Sequence, residues 1–221
     1  MKYEIIKRSF FNLAVGDVLR AMIGQSLVGS IILSLCVIDY LAFFDFDESV
    51  IKTKKGIEKK AEQGKSDYKK VINSYINRDL SKKYPANWVY ALRCSLVHSY
   101  ATSKAFRESP PYRGYRLTSC EPEWHLKPLP ENREILVLNC ESFICDVIWG
   151  TWIFFSNNAG SKKITERSSE LLVLSNVDEN DYKRKTYKDF NILLRELDAS
   201  KPDISRLYSD IRRKLDCLKL S

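Results

Sequence analysis

Glycine and proline are scarce in this sequence of 221 residues, at eight and seven, which excludes a fibrous repeat or a linker-rich chain. Histidine is scarcer still. His98 and His125 are the only two, so a zinc site of Cys and His finds no usable spacing. The six cysteines (Cys36, Cys94, Cys120, Cys140, Cys145, Cys217) include no C-x-x-C pair, and the chain is too long and too poor in cysteine for a secreted disulfide framework. Reduced thiols in the cytoplasm are expected. Also missing are G-x-x-x-x-G-K followed by Ser or Thr, G-x-G-x-x-G and G-x-S-x-G, so no loop offers a phosphate cradle or a nucleophile elbow. Neither a metal nor a cofactor is expected.

Apolar residues make up 44% of the chain and aromatic ones 12%, enough to build a buried core and to exclude whole-chain disorder. The length suits one domain over 1–221. Lysine and arginine outnumber aspartate and glutamate by 36 to 28, a formal charge of +8. Residues 51–83 carry eleven basic and four acidic residues, and 201–221 carry six and three. A solvated helix face explains such a stretch, and so does a nucleic-acid footprint, with Lys54, Lys55, Lys59 and Lys60 as its candidate phosphate contacts.

Residues 1–12 mix Lys2, Glu4, Lys7 and Arg8 with apolar residues, unlike a signal peptide. From Ala21 to Phe44 the only charge is Asp39. That is long enough for a membrane span, but Gln25, Ser26, Ser30 and Ser34 dilute it, and Asp39 is costly in hydrocarbon. The central helix of a soluble bundle gives the same pattern, and it is the expectation here, with no membrane partner.

The rest of the pattern is also mainly helical. One helix is expected over 17–44, one or two amphipathic helices over 48–80 with a break near Gly64, and one from Pro85 to about Phe106. Prolines 110, 111, 122, 128 and 130 then punctuate β-prone runs at 115–119, 124–127 and 134–138. They predict a small inserted β-hairpin or irregular insertion within 107–139. Helices are expected at 141–155, 165–174 and 182–197 and after Pro202.

Within the Pro85 helix, Arg93 and His98 are polar exceptions on an otherwise core-like segment. A guanidinium suits phosphate oxygens through its planar fork, and an imidazole accepts and donates protons near neutrality. Together they have the chemistry to cleave RNA without a metal. Five positions apart is about 140° around a helix, so the pair shares no single face, which points to a groove completed by a second subunit. A paired structural arginine and an interfacial histidine are the plainer alternative. His125, in a strand-like run, reads as structural.

The stretch Arg93-Cys-Ser-Leu-Val-His98-Ser-Tyr100 resembles the R-x4-H-x-Y motif of HEPN domains, especially HEPN toxins paired with minimal nucleotidyltransferase antitoxins. The likeness is specific over these residues and extends over 15–106 by helix order alone. It implies an antiparallel HEPN-like helical bundle, a homodimer with its motif helices facing across a cleft, and metal-independent cleavage of RNA in a toxin–antitoxin or phage-defence setting. By position, Arg93 faces phosphate and His98 is the catalytic histidine. Tyr100 matches the tyrosine such antitoxins modify, while Asp39 and Ser95 are supporting candidates. HEPN modules that bind RNA or nucleotides without cutting are the alternative, and a helical membrane or scaffold protein is a second one.

Overall fold

The computed structural model describes residues 3–23, 26–45, 55–78, 80–98, 106, 111–119 and 121–168. Helix dominates them. α1 (Tyr3–Phe10) passes through a π-helical turn, Phe11–Val15, into α2 (Gly16–Ile23). α3 (Leu27–Asp45) begins anew, so the single helix expected over 17–44 is two. Ser26 marks the division: its N–H reaches back to Ala21 O, while its own carbonyl accepts the Ser30 N–H that starts α3.

α4 (Lys55–Val71) runs into a second π turn at Ile72–Ile76. The break expected near Gly64 is absent, and a side chain there would meet nothing within 4 Å. α5 (Ala86–His98) follows Pro85, whose carbonyl accepts the Val89 N–H. The missing proline N–H falls where a helix start has orphan donors anyway.

The insertion contains two strands, β1 (Gly114–Thr118) and β2 (Ile135–Asn139), and they are parallel, with Gly114 opposite Ile135 and Thr118 opposite Asn139. The expected hairpin is therefore corrected. A hairpin needs a tight turn, whereas the chain between Thr118 and Ile135 is long enough for the crossover that parallel strands require. The expected β-prone run at 124–127 is also corrected. It begins at the end of the 3-10 turn Pro122–Trp124, and Leu126 takes a left-handed conformation (φ 55°). Leu126 and Leu129 then donate to the Val137 and Ile135 carbonyls, while Val137 donates back to Lys127, along the other side of β2.

β2 leads without a loop into α6 (Cys140–Asn157), whose first turn is capped by Asn139 Oδ1 accepting the Ser142 N–H at 2.9 Å. α7 (Lys162–Ser168) is the last described element. It overlaps the start of the helix expected at 165–174. The helices expected at 182–197 and after Pro202 lie outside the described residues.

α3 occupies the centre, touching α2, α4, α5, α6 and α7. Its buried face carries Ile31, Leu35, Ile38, Leu41 and Phe44. The buried hydroxyls of Ser30 and Ser34 donate to the carbonyls of Ser26 and Ser30, each at 2.8 Å, so neither is left unsatisfied. Phe10, Phe11, Phe44, Phe154 and Phe155 are buried together at its C-terminal end, with Phe10 and Phe155 centroids 5.2 Å apart. From α7, Lys163 and Arg167 donate to the Asp45 and Phe43 carbonyls at 2.6 and 2.5 Å. Cations there satisfy the orphan carbonyls and complement the negative end of the helix dipole.

Candidate active site

Arg93 sits in the second half of α5, where α5 packs on α3 and α4. A charge on a packed flank needs a partner, and α3 supplies one: Arg93 Nε lies 2.9 Å from Asp39 Oδ2. Their side chains are 22% and 34% exposed, so the pair is partly sheltered yet reaches the surface. Burial alone lowers the proton affinity of Arg93. Asp39 and the Cys94 sulfur outweigh it, and the net shift is upward. A guanidinium has five N–H donors in a plane, and the Asp39 contact orients that plane through Nε.

Neutral groups surround the pair. Burial, with the Asp39 charge adding to it and Arg93 opposing, raises the Cys36 thiol above its ordinary range. Tyr68 of α4 is wholly buried, and burial followed by Asp39 pushes its phenol well up. Its ring meets Tyr90 of α5 edge-on at 5.5 Å. Tyr90 is raised by burial and then by Cys94. Lys65 completes this side, its ammonium 5.5 Å from the Tyr90 ring centroid. Cys36, Tyr68 and Tyr90 were not singled out from the sequence. A signal existed for two of them: Cys36 and Tyr90 each stand one helical turn before Asp39 and Arg93.

The predicted site residues are only partly brought together. Arg93 and Asp39 meet. His98 is the final residue of α5, about one and a half turns beyond Arg93. Ser95 lies about 200° around the helix from Arg93 and is fully buried, facing the interior rather than the flank that carries Arg93. Tyr100 and Lys54 lie outside the described residues. Lys55, Lys59 and Lys60 fall in the first two turns of α4.

The second histidine has a different setting. His125 Nδ1 accepts the Asn139 N–H at 3.1 Å, which places the imidazole proton on Nε2. Nε2 is 2.8 Å from Tyr84 Oη, and the Tyr84 hydroxyl donates to Asp146 Oδ2 at 2.5 Å. Burial, with Lys82 nearby, pushes the His125 pKa down to about 4. Burial pushes Asp146 up to about 7 against the opposing Tyr84 bond. This chain ties the insertion to α6 and to the segment before α5. Its histidine is neutral, mostly buried and engaged at both ring nitrogens.

No protein-family model matches the chain, and no curated protein or solved structure matches it either. The HEPN likeness therefore rests on Arg93, His98, Tyr100 and the order of helices.

Proposed function

We propose that this chain is a homodimeric HEPN-type endoribonuclease that cleaves RNA without a metal ion, with Arg93 and His98 as its catalytic residues. The observation that carries the reading is the Arg93–Asp39 pair. It holds a guanidinium at a surface-reaching position on α5, one and a half turns before His98. Neutral His98 takes the proton from a ribose 2′-OH, and that oxygen attacks the adjacent phosphorus. Arg93 steadies the charge that gathers on the phosphoryl oxygens. The P–O5′ bond breaks, a proton passes to the departing 5′-oxygen, and the ends are a 2′,3′-cyclic phosphate and a 5′-hydroxyl.

The proton given to the leaving oxygen requires a second acid. His125 is committed to Tyr84 and Asn139, so His98 of a second copy is the natural donor. The surface around the ion pair suits such a copy. Ile32, Cys36 and Tyr40 of α3 and Tyr90, Cys94 and Val97 of α5 are all half-buried, and Val28 is 41% exposed. A cytoplasmic toxin or phage-defence role, with a nucleotidyltransferase antitoxin acting on Tyr100, belongs to the same reading. α3 is long and apolar enough to cross a membrane, with a mean hydropathy of 2.2. Five neighbouring helices and the Arg93 pair favour a core helix over a span.

Purified protein is expected to cut RNA in EDTA and leave cyclic phosphate ends. His98→Ala and Arg93→Ala should each reduce the rate by roughly a hundredfold or more. Cleavage lost in EDTA, or full activity in both variants, overturns the mechanism. Salt-dependent RNA binding without cleavage would leave the silent binding module.

A further inference from the structure

Two depressions adjoin on the α4 side of the molecule, sharing Lys69 and Asn73 in their walls. One, of about 610 Å³, lies along α4 beside Lys65, with Glu62 at its rim. The other, of about 550 Å³, continues past Asn77 and Lys83 to Tyr112. Each volume falls in the range of a ligand-sized site.

The cations along this groove are not equivalent. Lys70 is held by Asp45 at 2.6 Å. Lys83 donates to the Asn77 and Arg78 carbonyls. Lys65 and Lys69 form no ion pair among the described residues. They stand one turn apart on α4, where like charges repel. Burial and then the Lys65 charge lower the proton affinity of Lys69. A bound anion relieves that repulsion. Lys65 also reaches over Tyr90, one turn from Arg93, so positive charge continues from the groove to the candidate active site. Tyr112 is half-buried at the far end and offers a ring on which a base can stack.

We propose that this groove holds a single-stranded RNA, with two backbone phosphates on Lys65 and Lys69 and a base against Tyr112, and leads the strand to Arg93. The direction of the strand rests on the ribonuclease reading. The binding itself does not. These lysines differ from Lys54, Lys55, Lys59 and Lys60, the footprint expected from composition.

The test titrates full-length His98→Ala protein into a labelled single-stranded oligouridylate across a salt series. Adding Lys65→Gln and Lys69→Gln should weaken binding roughly tenfold or more and flatten the log–log salt slope by about 1.4, the value for two phosphates of a single strand. Lys65→Arg with Lys69→Arg should restore both, which separates charge from any loss of fold. Tyr112→Ala should weaken binding without changing the slope. Affinity within about twofold and an unchanged slope in the glutamine variant would overturn the groove. So would equal competition by duplex RNA or polyglutamate. A dinucleotide substrate keeps the two readings apart, being too short to reach the groove. If wild-type protein cuts it and the glutamine variant cuts long strands as well as wild type, the groove falls and the ribonuclease stands. If nothing is cut but binding follows Lys65 and Lys69, the reverse holds.

Discussion

Arg93 is the one charge within α5 besides its terminal histidine, Asp39 the one within α3 before its terminal Asp45, and each accounts for the other. They stand 54 positions apart in the chain and 2.9 Å apart in space. Their exposure of 22% and 34% places the pair between a surface ion pair, worth about 0–1 kcal/mol, and a buried one, in which removing one partner strands the other charge. Its larger consequence is orientation. Asp39→Asn should cost about 1–2 kcal/mol of stability, between those two limits, and lower kcat roughly tenfold with little effect on KM, as expected of a positioning residue. Steady-state kinetics beside thermal melts test this, and an equal change in KM would put Asp39 against the substrate instead. The exceptional character of Arg93, His98 and Asp39 was legible because a charge in an apolar run demands an explanation. The inward turn of Ser95 was not, since a motif window does not record which flank of a helix packs.

The elements show a similar division. α3 was recognisable from a run with one charge, and α6 from its apolar density after Asn139. The hairpin expectation failed because period-two runs and prolines announce strands without announcing their direction. Direction came from the long connection and from Leu129 and Lys127 occupying the other side of β2. Close packing of α6 on the π turn at Ile72–Ile76 depends on Gly150. A Cβ there would stand 2.9 Å from Ile76 Cα and 2.4 Å from its Cδ1. The Cδ1 can rotate away, whereas the backbone cannot. Gly150→Ala should therefore destabilise the protein by about 1–3 kcal/mol, read as a lower denaturant midpoint at an unchanged slope. An unaltered midpoint would mean that the π turn yields freely.

At the scale of the whole molecule, the Tyr84–His125–Asp146 chain joins the insertion to the helical core and gives folding a particular pH response. His125 has its pKa lowered to about 4 in the folded state. The unfolded chain thus binds more protons between that value and the ordinary histidine pKa of about 6.5, and stability falls as pH falls through this window. Asp146, raised to about 7, works in the opposite sense: the folded state holds the extra proton, and stability falls as pH rises from the ordinary carboxylate range towards 7. The two slopes offset each other where they overlap. Asp146→Asn should expose the histidine slope, so that stability rises with pH from about 4 to 6.5 by up to roughly 1.4 kcal/mol per pH unit relative to wild type. Urea unfolding at the two ends of that window checks the sign.

Taken alone, the sequence determined that the chain is mainly helical, that one nearly uncharged helix lies at its centre, and that Arg93 and His98 belong to the same helix. These follow from periodicity and from the cost of isolated charge, both of which are local and are carried by neighbouring residues. Tertiary structure decided that Asp39 closes on Arg93, that the strands run parallel, that His125 is locked neutral beside Tyr84, and that Lys65 and Lys69 share a groove reaching toward the arginine. Each of these joins residues from different elements, and such meetings depend on how helices and strands pack across the core rather than on the order of residues along any one of them.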